Sequence, residues 1–223
     1  MATVSKKHSI VALALVLGLA AALSMAFASA STAWADPSSS YLENPGKTLR
    51  LFYYPKWENG NSKPLTGDFS MDNKVTKVKS SKKGVFTAKG FNNEYGGYIF
   101  LYLKKAGKAT LSYKYKGKTH EVTVDVRNYS NPLSTFKVGP VDVLSRFNKK
   151  SEASVKLDAA GKLKLKAKSG WKITDIKKTT KKAEGIAIGN GSKIGTNTEM
   201  VVLNLKNTKT KFKLEMTLFT DFV

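Results

Sequence analysis

An all-β fold, two tandem β-sandwich domains behind an N-terminal signal peptide, is what this 223-residue sequence predicts, on three observations. Apolar and polar residues alternate with a period of two, as in Ala109, Leu111, Tyr113 and Tyr115 against Lys108, Thr110, Ser112, Lys114 and Lys116. That period sends one set of side chains into a core and the other into water. Short segments of this kind recur between turn residues with no helical period among them, which is the pattern of a sandwich. Finally, 223 − 35 = 188 residues remain after a leader of 35, enough for two domains of about 90 residues each.

The leader comes first. Lys6, Lys7 and His8 precede an Ala/Leu/Val run from Ile10 to Phe27, and small-residue cleavage sites follow at Ala28-Ser29-Ala30 and Ala33-Trp34-Ala35. This is the layout of a signal peptide. Cleavage after Ala35 is favoured over Ala30, because Asp36-Pro37-Ser38 then opens a polar segment; an uncleaved anchor is the rival reading, since the run nearly spans a bilayer. No later segment is long and apolar enough to span one. Residues 36–46 are expected to be a flexible leader and 47–127 the first domain. Its strands are expected at 49–54, 75–79, 85–88 and 98–103, with turn-rich loops at 55–67 and 91–97. Residues 98–103 are apolar at every position, as for a strand covered on both faces. The hairpin 107–127 turns at Lys116-Gly117-Lys118, after which Val122, Val124 and Val126 alternate with Glu121, Thr123 and Asp125.

Residues 128–132 form the linker, with Pro132 breaking strand continuity. The second domain, 133–223, carries strands expected at 135–138, 141–147, 153–157, 162–168, 172–176, 186–188, 193–194, 200–206 and 211–219. Its last two strands make a hairpin, with Val201, Leu203 and Leu205 facing Phe212, Leu214, Met216 and Leu218.

Within the first domain, Lys77-Val78-Lys79-Ser80, Gly84-Val85-Phe86-Thr87-Ala88-Lys89-Gly90, Gly107-Lys108-Ala109-Thr110-Leu111, Gly117-Lys118-Thr119 and Val122-Thr123-Val124 resemble the bacterial immunoglobulin-like domain of the group 2 type. The resemblance covers about residues 47–127, with Phe91 to Ala106 standing between its two halves as an insertion. It implies an Ig-like sandwich of the kind found in secreted and surface proteins, including adhesins of the intimin kind, and it brings no catalytic residues. Residues 128–223 resemble that family in strand rhythm only. Asn131-Pro132-Leu133 and Gly170-Trp171-Lys172-Ile173 are similar to segments of Lys-rich secreted proteins of Gram-positive gut bacteria. Together these resemblances imply a secreted or cell-surface protein of a Gram-positive type bacterium.

Charge and composition narrow the function. With no cysteine, the chain has neither a disulfide nor a Cys-based metal or redox site, and stability rests on core burial. Lys and Arg number 38 against 16 Asp and Glu, for a net charge of +22, or +20 once Lys6 and Lys7 leave. Two readings of the lysines stand open: solvated strand faces that blunt edge pairing, or adhesion to an anionic cell-envelope or host polymer. Arg50, Arg127 and Arg146 are the only arginines, which argues against nucleic acid as a dedicated ligand.

Enzyme chemistry has little to work with, and no catalytic residue or cofactor is expected. His120 is the only histidine beyond the leader and shares the side of Val122, Val124 and Val126. Glu121 and Asp125 share the other face, but four residues of strand separate them by roughly 13 Å, beyond the ~5–9.5 Å of a glycosidase pair. No metal-ligand spacing occurs; Asp68 and Asp72 flank Met71 without the pattern of a calcium loop. The polyanion candidates are Lys162, Lys164, Lys166 and Lys168 on one face of one strand, and Lys209, Lys211 and Lys213 as a second row. Like charges about 6.6 Å apart repel unless an anion or a facing acidic residue compensates them. The alternative is a carbohydrate- or protein-binding module using Tyr53, Tyr54 and Trp57 as a stacking platform; against it stands the reading of Phe52 and Tyr54 as core with Trp57 covering its open end. Tyr95 and Tyr98 flank Gly96-Gly97 at a candidate loop tip, and Trp171 belongs with the second core.

Overall fold

The computed structural model describes residues 41–46, 48–67 and 72–222. The signal peptide, both cleavage sites, residues 36–40 of the leader, and Asp68 and Met71 lie outside the described residues. Among the described residues no helix is long and apolar enough to cross a membrane.

Seven strands build the first sandwich: β1 (Thr48–Tyr53), β2 (Ser62–Thr66), β3 (Val75–Ser80), β4 (Phe86–Asn93), β5 (Gly96–Leu103), β6 (Gly107–Tyr115) and β7 (Lys118–Asn128). A four-stranded sheet, β1-β7-β6-β3, faces a three-stranded one, β2-β5-β4. β1 pairs parallel with the last strand, β7, and the other pairs are antiparallel. Setting the third, sixth and seventh strands against the second, fifth and fourth is the immunoglobulin-type division. Leu51, Phe86, Ile99, Leu101, Leu111 and Val124 fill the space between the sheets.

The second sandwich runs β8 (Leu133–Val138), β9 (Val141–Asp142), β10 (Glu152–Leu157), β11 (Gly161–Ala167), β12 (Trp171–Thr180), β13 (Ala183–Ala187), β14 (Lys193–Ile194), β15 (Thr198–Asn207) and β16 (Lys213–Phe222). Sheet β10-β16-β15-β12-β13 faces sheet β14-β11-β8-β9. Again an early strand, β10, pairs parallel with the last, β16. Leu133, Phe136, Phe147, Leu163, Leu203 and Met216 are fully buried between these sheets.

The two predicted hairpins form with apolar residues opposed, although the last strand begins at Lys213, after Phe212. Ala109 lies opposite Val124 and Leu111 opposite Val122, while Leu203 lies opposite Met216 and Leu205 opposite Leu214. The β6–β7 turn is Lys116-Gly117, with φ of 48° and 74°, the paired positive φ of the tight turn whose twist matches the flanking strands.

Several expectations change. The strand expected at 141–147 is only the two-residue β9, followed by a 3-10 turn at Leu144–Phe147. Residues 62–66 form β2 instead of a loop: Ser62-Lys63-Pro64-Leu65-Thr66 has one buried apolar residue and a proline, which a sheet accepts only at its edge, where β2 lies. Residues 91–93 extend β4, so the expected loop shrinks to a turn at Glu94-Tyr95. Gly97 permits this hairpin to close against β3, because a Cβ there would stand 2.7 Å from both Asn73 O and Val75 N. And β5 is covered on one side only. Ile99, Leu101 and Leu103 are buried, whereas Tyr98 and Phe100 are half-buried and Tyr102 is 41% exposed.

The leader, expected to be flexible through residue 46, packs where it is described. Leu42 is fully buried in the first core, its N–H donates to Thr66 O (3.2 Å), and Tyr113 donates its hydroxyl to Leu42 O at 2.9 Å. An apolar Leu42 in a polar segment has a place to go, and the sandwich end offers it.

Candidate functional site: a lysine face on the second sandwich

Period-two alternation along β11 buries Leu163 and Leu165 and leaves Lys162, Lys164 and Lys166 exposed. Neighbouring strands extend the row sideways. Lys164 lies opposite Lys137 of β8, and Lys162 opposite Lys193 of β14. Directly opposed side chains on one sheet face are about 4.5–5.5 Å apart at Cβ, so five lysines share one surface two to three strands wide. At these outer positions Asp142 of β9 is the one carboxylate among the described residues; it lies opposite Lys137 with Nζ–Oδ2 of 3.6 Å.

Lys168 leaves this row. A register shift between Lys166 and Ala167 rotates the strand end, and Lys168 donates its ammonium to Asn131 O at 2.8 Å. Lys213 lies on the opposite sheet and Lys209 and Lys211 in the turn at its end, so the two rows do not merge. Lys209 and Lys211 fall in the β15–β16 turn, where Lys211 has φ of 64° and donates Nζ to Thr208 O at 2.8 Å. Lys213 begins β16 and, with Lys206 and Lys172, crosses three strands. Carboxylates stand in the next row, where Asp175 and Glu215 flank Asn204 in register. The charges on that sheet are mixed; those on β14-β11-β8 are of one sign.

Like charges directly opposed destabilise a sheet. Lys164→Glu is therefore expected to stabilise the fold by about 0.2–1 kcal/mol, read as a rise in the urea midpoint. A fall would mean that the opposed lysines are not in repulsion.

The aromatic candidates do not form an exposed platform. Tyr54 is 3% exposed, stacks on Tyr129 (4.7 Å, 28°) and donates its hydroxyl to Ser151 Oγ at 3.1 Å. Trp57 is half-buried with its ring edge-on to Tyr54 at 4.9 Å, against the second core. Tyr53 points the other way, onto the first core. Alternation at the end of β1 sends Tyr53 to one core and Phe52 and Tyr54 to the other, where Phe52 packs on Phe212 (5.0 Å) and Trp171 (6.1 Å) and Trp57 follows from the loop. The joining segment is packed as well. Tyr129 donates to Phe147 O (2.8 Å), and Asn131 Nδ2 donates to Leu144 O (3.1 Å). Half-buried Lys63 brings its ammonium 5.7 Å from the Tyr54 ring; burial lowers its pKa, and Glu152 and Glu215 oppose that shift.

Burial raises the pKa of Tyr54, Tyr113 and Tyr129 well above the ordinary 10. A folded pKa above the unfolded value gives stability that is complete below pH ~10 and lost as pH rises further. The share of tyrosinate absorbance that belongs to these buried rings should therefore rise only together with loss of near-UV circular dichroism above that pH. Ionisation of the full tyrosine complement in a protein still folded would contradict the burial described.

Sequence reasoning missed a second surface. On β5, Tyr98, Phe100 and Tyr102 face outward; Phe91, Lys89 and Thr87 of β4 flank them on one side and Thr66, Pro64 and Ser62 of β2 on the other. Phe91 and Tyr98 stack at 5.3 Å and 9°, Phe100 meets Tyr98 edge-on at 5.8 Å, and Tyr102 lies 6.1 Å from Phe100. Lys89 holds its ammonium 4.9 Å from the Phe91 centroid. His120 stacks on Tyr113 at 5.2 Å. Among the described residues no group of three or more His, Asp or Glu could hold a metal ion.

No protein-family model matches the chain, and no curated protein matches it. Among solved structures it is similar to domains 5–6 of the S-layer protein SbsC, at 15% identity over 78% of this chain and 93% of that one, with a TM-score of 0.27. It is also similar to the tandem Ig repeats of Dlar, at 9% identity over 80% of this chain and 94% of that one, TM-score 0.33. Domains 4–9 of surface layer protein SbsC match at 11% identity over 78% of this chain, TM-score 0.29, and the chain spans 30% of that structure's length. At these scores the fold assignment rests on the strand order described above.

Proposed function

We propose that the protein is a secreted, non-catalytic cell-surface or adhesion-type module that attaches to an anionic cell-envelope or host polymer. The attachment face is the outer surface of β14-β11-β8, with Lys137, Lys162, Lys164, Lys166 and Lys193 as point charges. Residues 47–127 and 133–223 are its two domains, joined by 128–132. The observation that carries this reading is the cross-strand register, which stacks lysine on lysine with Asp142 as the one counter-charge. A face selected only for solubility gains nothing from like charges in opposition; the other sheet also opposes Lys172, Lys206 and Lys213, but it sets Asp175 and Glu215 in the next row. A polymer that lies across several lysines recovers the repulsion by displacing counterions. Lysine supplies charge without the planar fork of arginine, which suits a flexible polyanion more than one fixed sequence or shape.

The test is binding of the chain to inorganic polyphosphate across a salt series. Affinity is expected to fall steeply between low and moderate salt; binding that ignores salt would end the electrostatic reading.

A further inference from the structure

We infer that the outer face of β2-β5-β4 on the first sandwich is a second, separate binding site, and that its ligand is an acidic glycan. Solvent-facing strand positions elsewhere in this chain are largely lysine, threonine or serine, as along β6 and β11. Here Phe91, Tyr98, Phe100 and Tyr102 take those positions, outside either hydrophobic core. Phe91, Tyr98 and Phe100 are half-buried and Tyr102 is exposed, so the rings shelter one another and forgo part of the burial that large aromatics normally supply.

The chemistry around the rings selects the occupant. Of the eleven outer positions set by the strand registers, Asn93 and Gly96 included, Lys89 is the only charged one and none is a carboxylate. The strip therefore favours a partner with negative charge. A second copy of this chain, at +22, brings the wrong sign. Eleven positions also fall short of the roughly 20–30 residues that each partner contributes to a stable protein interface. Hydroxyl-bearing Ser62, Thr66 and Thr87 border the rings on both sides. A sugar chain fits all of this: C–H faces lie on the rings, hydroxyl groups meet the bordering hydroxyls, and a carboxylate meets Lys89 while its ammonium stays over Phe91.

The experiment uses the full chain carrying Lys162→Gln, Lys164→Gln and Lys166→Gln, so that the lysine face contributes little, with polygalacturonate as probe at moderate salt. That background is expected to bind polygalacturonate, and to bind it about tenfold more weakly when Tyr102→Ala is added, one stacked ring being worth on the order of a factor of ten. Tyr102→Leu keeps apolar bulk and should lose binding too, while both variants melt with their parent. Lys89→Gln should weaken binding to polygalacturonate but not to its methyl ester. No binding by the background, full binding by Tyr102→Leu, or equal binding to polyglutamate would overturn the proposal. The lysine-face reading fails by a different result, namely undiminished polyphosphate binding by the triple variant.

Discussion

Replacing Lys162, Lys164 and Lys166 together by glutamine is expected to cut polyphosphate affinity on the order of 100-fold at 0.15 M salt. The slope of log affinity against log salt should fall by about three, near one per phosphate contact removed. Replacing Lys209, Lys211 and Lys213 in the same way removes the same net charge from a turn and strand end where the cations do not form one face. That second variant should keep affinity within a few-fold of the parent. Equal losses in the two variants would mean that the total charge of +22, and not the β14-β11-β8 surface, drives attachment. Since all six lysines are exposed on the second sandwich, both variants should fold, and the comparison isolates position from charge.

Tyr54→Ala is expected to be the most damaging single truncation at the junction, costing about 3–5 kcal/mol, the usual range for a buried aromatic cut to alanine. That is a large share of the ~5–15 kcal/mol that holds a typical domain. The ring is buried between Trp57 and Tyr129, and its hydroxyl reaches Ser151 across 97 residues of sequence. Tyr54→Phe keeps the ring contacts and loses that one hydrogen bond, so about 1 kcal/mol is expected. Urea unfolding of the two variants separates the terms. A Tyr54→Ala cost below about 1 kcal/mol would contradict the packing of β1 against the second core.

What the sequence disclosed, and what it withheld, follows from the range of the interactions. The β6–β7 and β15–β16 hairpins were legible because alternation, turn and partner strand all lie within about twenty residues of one another. β2 was not, because Pro64 and polar neighbours carry no strand signal and only the five-residue pairing with the distant β5 defines it. Tyr53, Tyr54 and Trp57 are close in sequence, yet strand alternation sends them into different cores that only the folded chain reveals. Lys162, Lys164 and Lys166 announced their face through period two. Lys137 and Lys193, which complete it, sit in β8 and the two-residue β14 and become neighbours only through register. The strip on β5 was misread for a related reason. Six consecutive apolar residues are compatible with cover on both sides or on one, and the sequence held no sign that the second cover is absent.

The central claim, that attachment is local to one sheet face, is tested most directly by lysine acetylation footprinting with and without bound polyphosphate. Protection is expected at Lys137, Lys162, Lys164, Lys166 and Lys193, with Lys209, Lys211 and Lys213 as reactive as in the free protein. Protection spread evenly over the exposed lysines of both sandwiches would contradict it.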